Sequence, residues 1–358
     1  VSRTQPNITL GFASSQDKTQ WNEYVVQHES SSAYHQYAWL EAVNNAYGHS
    51  IVGVIAKCPQ TGQVKGVFPA ILMKIPFIGK HICSLPYCDI GYGIADNEGV
   101  LDEMKRFLID RLVLSSGKKL EVRDVEENTF STEGFQNKKV RMLLPLPDCS
   151  QSLLASFKSK LRSQIKKAEK NGLTFKTGIS NDLVRAFYLV YAQNMRDLGS
   201  PVHAEKWFNA IIKSYDKNCL ISVVYHNGQP IGGGLIIKSG SKASIPWAST
   251  LREFNRLAPN MLLYWSLLSH CADNGISIFD FGRSTFEEGT YKFKKQWGAE
   301  PQLLNWQCFD TSNNPIESLK ESHSEPSRAR EVAEDIWRKL PLKLTIKTGS
   351  LVRPYISL

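Results

Sequence analysis

No stretch of this chain reaches the roughly 18–20 consecutive apolar residues that a spanning helix needs, so no transmembrane helix is read from it. Val1–Leu10 is polar, and no signal peptide is expected there. Paired cysteines are lacking too. Cys58, Cys83, Cys88, Cys149, Cys219, Cys271 and Cys308 are scattered, odd in number and without a C-x-x-C pair or a His-rich neighbour. That pattern points to reduced, mostly buried thiols in a cytosolic protein rather than a disulfide framework or a zinc site. Neither H-E-x-x-H nor G-x-S-x-G occurs, so the zinc-protease helix and the serine nucleophile elbow are excluded, and no metal is expected. Acidic side chains are the minority. Lys and Arg number 43 against 34 Asp and Glu, a formal net charge of +9. This balance favours phosphates, RNA, lipid head groups or a phosphorylated lipid carrier as partners and selects none of them.

Hydrophobic residues make up 42% and aromatics 10% of the 358 residues. That is enough for real cores, and the length predicts two domains. The first half reads as a strand Ile8–Phe12, helices Trp21–His28 and Tyr37–Tyr47 with Gly48 as stop, and strands Ile51–Ala56, Val64–Met73 and His81–Leu85. The helix Val100–Leu114, ended by Gly117, and the strands Leu120–Val125 and Val140–Leu146 complete it. The order then starts again. A helix Ser152–Lys170 carries Phe157, Leu161, Ile165 and Ala168 on one stripe. A strand Leu173–Thr177, helices Leu183–Met195 and Glu205–Tyr215, and strands Leu220–Tyr225, Pro230–Lys238 and Lys242–Ala248 follow. The helix Asn260–Asn274 and the strands Ile276–Phe281 and Gln302–Phe309 end this half. The repeat is one of element order, not of residues. Asp310–Arg330 reads as linker and Glu331–Leu340 as helix, and after Asp335 no acidic residue occurs while Arg338, Lys339, Lys343, Lys347 and Arg353 do.

The stretch Phe279–Gly298 draws the most attention. Gly282 is expected to end the strand, a polar loop to follow, and Tyr291–Gln296 to form one or two helical turns. Asp280, Arg283, Tyr291 and Lys294 then converge where a strand end meets a loop, the place where open α/β sheets bind ligands. The alternative is an ion pair closing a strand end beside a solvated lysine-rich turn.

The element order is that of the acyltransferase fold called GNAT. Gly232–Leu235, Trp247-Ala248-Ser249, Pro259-Asn260, Leu262-Leu263, Asp280, Gly282-Arg283-Ser284, Tyr291, Phe293-Lys294 and Trp297-Gly298 stand in the order of motifs of Fem-type proteins. So does Arg162–Ala168 closed by Gly172-Leu173. The chain resembles a FemAB-like tandem GNAT protein, most closely the branch associated with exosortase (PEP-CTERM) and exopolysaccharide systems. The resemblance covers nearly the whole chain, is sharp over Lys160–Trp297, and in the first half rests on Gly91–Asp96. It implies two GNAT-like α/β domains, 1–147 and 148–311, with the main motifs in the second, and a linker and basic tail over 312–358.

The resemblance further implies acyl or aminoacyl transfer to an amine in cell-envelope polymer synthesis, with exopolysaccharide or a peptidoglycan precursor as acceptor. Such a step needs a neutral amine, a stabilised oxyanion and two substrates held in line. The donor is aminoacyl-tRNA or acyl-coenzyme A, with no resident cofactor. Coenzyme-A-dependent members carry a glycine-bearing loop whose N–H groups cradle the pyrophosphate, whereas Arg252–Asn260 holds no glycine. The rival classes are an acyl-coenzyme-A-dependent N-acyltransferase and a non-catalytic GNAT-shaped scaffold. Partners implied are the donor, a lipid-linked or polysaccharide acceptor, tRNA, and the inner face of the membrane at its periphery, with the protein cytoplasmic; DNA is not expected.

By the same resemblance Lys294 stands beside the developing oxyanion, and as a cleft lysine it is expected to contribute little to folding stability. Asp96 binds or deprotonates the acceptor amine, with Asp89 as rival and helix capping as the ordinary alternative. Arg283 meets a substrate phosphate, oriented by Asp280. Trp247 lines the acyl pocket or joins the core. Tyr291 donates to a carbonyl or packs. Asn260 meets substrate or caps its helix. Arg162 and Lys166 belong to a basic helix face, with Lys158, Lys160, Lys167 and Lys170, that meets RNA or pyrophosphate or is merely solvated. The apolar residues of the tail, Trp337, Leu340, Leu342, Leu344, Ile346, Leu351, Val352, Tyr355 and Ile356, either touch a membrane or fold back on a domain.

Overall fold

The computed structural model describes residues 7–126, 132–316 and 328–357. The chain divides into two compact units. One is built from Val1–Phe130, Leu303–His323 and Tyr355–Leu358, the other from Ser131–Gln302 and Ser324–Pro354. Among the described residues no helix is long and apolar enough to cross a membrane.

In the first unit the helix Tyr37–Tyr47 forms as its spacing predicts and stops at Gly48, which takes φ 73. Two expected strands are each split. Val64–Met73 is Val64–Phe68 followed by Ile71–Ile75, because Pro69 has no N–H for a ladder. Ile51–Ala56 is Ser50–Ile51 and Val54–Lys57. Four strands, Thr9–Phe12, Val54–Lys57, Val64–Phe68 and Ile94–Ala95, pair antiparallel in that order. A second set runs Ser50–Ile51, Ile71–Ile75, Gly79–Cys83, Gly117–Val125, and then Leu304–Phe309. Gly79–Cys83 and Gly117–Val125 are parallel, so a crossover is needed between them. The helix Glu98–Leu114 supplies it and sends Val100, Met104, Leu108 and Leu112 into a core with Val54, Phe68, Ile82 and Leu120. Gly117 begins a strand rather than ending this helix, whose last turn closes at Ser115.

The second unit orders its strands Leu173–Gly178, Cys219–His226, Gln229–Ser239, Lys242–Thr250, Ile278–Thr285 and Lys139–Pro145. The last of these, read above as closing the first half, pairs antiparallel with Ile278–Thr285 in this unit. Helices cover both faces of the sheet, and Gly232–Gly234 is the sign of it. A Cβ on Gly233 would lie 3.3 Å from the Phe187 backbone, in the helix Asn181–Asp197. A Cβ on Gly234 would lie 3.1 Å from Leu267, in the helix Pro259–Asp273. Successive strand residues face opposite ways, so both helices press on this strand where it carries no side chain.

The long helix expected over Ser152–Lys170 is two, Ser150–Ser156 and Ser159–Lys170, broken at Phe157. The tail forms helices Arg328–Lys339 and Leu342–Val352. The latter packs against Asn181–Asp197, with Thr345 buried and Gly349 so close to Val202 that a Cβ would lie 2.7 Å from its amide nitrogen. Most of the linker read over Asp310–Arg330 lies outside the described residues.

Candidate active site

Two neighbouring strands of the second unit part. Lys242–Thr250 and Ile278–Thr285 run parallel and pair at Lys242–Ser244 with Ile278–Asp280. Beyond that point each holds to its outer neighbour instead, the first to Gln229–Ser239 and the second to Lys139–Pro145. Past that point no pairing is found between Ile245–Thr250 and Phe281–Thr285 among the described residues, and the candidate cleft lies between them. Trp247 and Arg283 stand at matching steps beyond the last paired residues, Ser244 and Asp280, one on each strand.

Each strand carries a bulge where they diverge. Leu235 faces Trp247 and Ile237 faces Ser244, so Ile245 and Pro246 share the place opposite Ile236. Proline is tolerated inside a sheet at such a bulge because no ladder hydrogen bond is required of it. On the other strand Asp280 faces Leu143 and Arg283 faces Arg141, which leaves Phe281 and Gly282 opposite Met142. Gly282 takes φ 72, a conformation that disfavours a side chain. It therefore does not end the strand, which continues to Thr285. Bulges of this kind re-aim side chains and are frequent beside active sites.

Asp280 is buried. Its Oδ1 accepts the Gly282 amide at 2.8 Å, and its Oδ2 lies 3.9 Å from the Arg141 guanidinium. Arg141 in turn donates from Nε to Gln302 at 2.6 Å. The carboxylate thus closes the bulge and holds an arginine of the neighbouring strand, a residue the sequence reading passed over.

Lys294 reaches back from the helix Gly289–Lys295 over the same bulge. Its Nζ donates to the carbonyls of Gly282 at 3.1 Å and Arg283 at 2.7 Å, and the residue is 7% exposed. Lys294 is thus buried rather than exposed, and its ammonium bridges two carbonyls of the bulge. Tyr291 on the same short helix packs its ring on Phe286, with centroids 4.8 Å apart. Asp280, Arg283, Tyr291 and Lys294 are therefore carried by one strand and the helix that folds back beside it.

Trp247 is half-buried on an aromatic wall. Its ring meets Phe208 edge-on at 5.0 Å, with His203 and Trp207 at 6.0 and 6.1 Å. Asn260 does not cap its helix. The cap is Ala258, at φ 63 with no side-chain bond, and the Asn260 Oδ1 accepts from the Thr250 hydroxyl at 3.1 Å. The loop before this helix is a short 3-10 turn, Arg252–Leu257, and three amides of the turn and the helix start bond to local carbonyls. Phe254 N–H goes to Leu251, Ala258 N–H to Asn255 and Met261 N–H to Ala258, while Pro259 has none to give.

Beside the end of Lys242–Thr250 lies an open polar pocket of about 280 Å³ lined by Gln193, Arg196, Asp197, Leu251, Arg252 and Glu253. Asn194 ties that helix to the strand through a 3.2 Å bond to the Ser249 hydroxyl. Arg252 and Glu253 belong to the glycine-free loop noted in the sequence, whereas Gln193, Arg196, Asp197 and Leu251 carry no such mark. Their only signal is a position at a helix end and a strand end that fold together.

The remaining candidates lie elsewhere. Arg162 donates to the Phe157 and Ala155 carbonyls at 2.7 and 3.2 Å, closing the end of the helix Ser150–Ser156, while Lys166 is exposed on the helix that follows. Asp96 belongs to the first unit. It accepts from the Tyr24 hydroxyl at 2.9 Å and from Lys65 Nζ at 3.0 Å. The helix cap that was its alternative role falls to Asn97, which accepts from Val100 N–H. The rival Asp89 gives its backbone carbonyl to the Trp306 indole at 2.9 Å. Deeper in the same unit, Arg123 is wholly buried and donates twice to one Glu121 oxygen, at 3.0 and 2.8 Å.

Residues 155–295 match a family model described as an acetyltransferase (GNAT) domain. No curated protein sequence matches the chain. Among solved structures the chain is similar to FemX, at a TM-score of 0.64 and 14% identity over 82% of this chain and 95% of that one. It is similar to L-PGS from Bacillus licheniformis, at 0.54 and 11% over 92% and 98%. It is also similar to a tandem GNAT protein from the clavulanic acid biosynthesis pathway, at 0.51 and 11% over 87% and 100%. These likenesses establish the fold, two GNAT-like domains in one α/β chain.

Proposed function

We propose that this protein transfers an acyl or aminoacyl group to an amine in the synthesis of a cell-envelope polymer, with the reaction held in the cleft of the second unit. Supporting this reading, the two strands stop pairing after Ser244 and Asp280, and Lys294 fixes a positive charge at the bulge beside Arg283. A fixed cation is suited to the oxyanion of amine attack on an activated carbonyl. Arg283 offers a planar fork to a phosphate of the donor or acceptor. Trp247 and its aromatic neighbours supply an apolar wall for the acyl group. Asp96 is the acceptor-amine candidate of the first unit, in exchange for one of its present partners, Lys65 or Tyr24.

The observation that favours one donor over the other is the set of amides in the loop before Pro259. A pyrophosphate cradle needs several N–H groups pointing outward at a helix start. Here the amides of Phe254, Ala258 and Met261 are spent on local carbonyls, and Pro259 has none. That supports an aminoacyl-tRNA-like donor over acyl-coenzyme A. The acceptor we propose is an amine on an exopolysaccharide or its lipid-linked precursor, carried by the motif resemblance to that branch. The test is transfer by purified protein from charged tRNA and from acetyl-coenzyme A side by side, with calorimetry against acetyl-coenzyme A. Product from the charged tRNA and a flat calorimetric trace are expected; a clean low-micromolar isotherm together with acetyl transfer would overturn the donor.

A further inference from the structure

The hairpin between Ile71–Ile75 and Gly79–Cys83 in the first unit ends in Ile75-Pro76-Phe77-Ile78, closed by the Ile78 amide on the Ile75 carbonyl at 3.2 Å. Phe77 takes φ 62, a position that turns usually give to glycine or asparagine because a side chain is disfavoured there. Its ring gains no burial in return: Phe77 is 109% and Ile78 61% exposed. A second apolar pair lies beside the hairpin. Val113 and Leu114, at the end of the helix Glu98–Leu114, are 52% and 78% exposed. The two sites are joined locally. Lys80 pairs in register with Gly117, and its Nζ donates to the Ser115 carbonyl at 3.2 Å.

Lysines surround this tip. Lys74 and Lys80 face each other across the hairpin. The Lys118 side chain lies against Gly79, while Lys119, next in the chain, pairs with Glu121 at 3.7 Å. Neither Lys74–Lys80 nor Val113–Lys119 contains a carboxylate. Exposed apolar clusters of this kind mark interaction surfaces, and the ring of lysines selects among occupants. A second copy docking through the same face would set lysines against lysines, since a two-fold interface is self-complementary. A single-stranded nucleic acid would match the lysines and stack a base on the phenyl ring, but it would leave the branched side chains of Ile78, Val113 and Leu114 in water. An anionic bilayer meets both: apolar side chains enter the acyl boundary while lysines stay among the phosphates.

We propose that this hairpin tip, with the adjoining helix end, docks the protein on an anionic lipid bilayer. No residue of the cleft takes part, so the inference stands or falls apart from the transfer chemistry. The test is sedimentation of the full chain with phosphatidylcholine vesicles with and without phosphatidylglycerol. Retention is expected on the anionic vesicles at low salt, with release at high salt. The double variant Phe77→Ser/Ile78→Ser should partition at least about tenfold more weakly, with an unchanged melting temperature because both side chains are exposed. Lys74→Gln and Lys118→Gln should each cost about fivefold. As a control, Leu351→Ser/Val352→Ser in the tail should leave partitioning unchanged. The proposal is overturned if the wild type stays in the supernatant, if the hairpin variant partitions like the wild type, if the tail variant alone is released, or if the hairpin variant dissolves a dimer while neither form binds vesicles.

Discussion

Replacing Lys294 by methionine separates the two roles the site gives it. Methionine keeps most of the apolar stem and deletes the ammonium, so the carbonyls of Gly282 and Arg283 lose a donor at 3.1 and 2.7 Å. Hydrogen bonds to charged groups contribute about 1.5–3 kcal/mol each, against which the desolvation of a buried ammonium is relieved, so a net loss of about 2 kcal/mol is expected. For a unit of this size that is a fall of roughly 4–8 °C in melting temperature. Charge stabilisation in the transition state is a separate quantity, and losing one such group costs about 10²–10³ in kcat. The assay is single-turnover transfer from whichever donor proves active, run well below the lowered melting temperature, with circular dichroism confirming that the variant is folded. A folded variant with kcat within about fivefold of wild type returns Lys294 to a purely structural clamp. A melting temperature unmoved within about 1 °C refutes the clamp itself.

Acid should weaken the first unit through His81. Burial pushes its pKa from 6.5 down to about 4, with Glu121 working against the shift and Lys119, Arg123 and His49 adding to it. Because the folded value is depressed, this stability is fully present above pH 6.5 and is lost as pH falls towards about 4. That amounts to about 3 kcal/mol over the window, and His81→Gln should flatten the slope of urea-derived stability against pH; an unchanged slope removes His81 as its source. In the second unit Gly349→Val should force the helix Leu342–Val352 off Val202, lower the melting temperature by the equivalent of about 1–3 kcal/mol and expose the tail to protease. A melting curve that does not move would mean that the helix contributes little to the unit.

The fold was largely legible in the sequence because its signals are local. Tyr37–Tyr47 and Glu205–Tyr215 are bounded as their spacing predicts, since apolar periodicity and an αL glycine act within a few residues. Interruptions were read less well. Pro69 splits one strand and Phe157 one helix, and Gly282, which reads as a stop, lies inside a strand that runs through it. A glycine at positive φ ends a strand or bulges it depending on what the partner strand offers, and that partner, Lys139–Pro145, lies more than a hundred residues away. The same distance hid Arg141. Nothing near Asp280 in sequence announces it, and only the register opposite Arg283 does.

Two prolines bear on how the proposed cleft would stabilise charge. Pro246 stands in the bulge of one parted strand, and Pro259 opens the helix that follows the same strand. At both places a backbone N–H is a natural donor to an oxyanion or a phosphate, and at both the sequence deletes it. Electrostatic help at the proposed reaction centre then passes from backbone to side chains, to Lys294 and Arg283 on the opposite strand and its helix. Backbone donors survive almost any substitution, whereas side-chain donors do not. A site organised in this way is accordingly sensitive to single mutations on the Phe281–Thr285 side and tolerant of side-chain changes in Arg252–Leu257, the inverse of what a pyrophosphate-cradling loop would show.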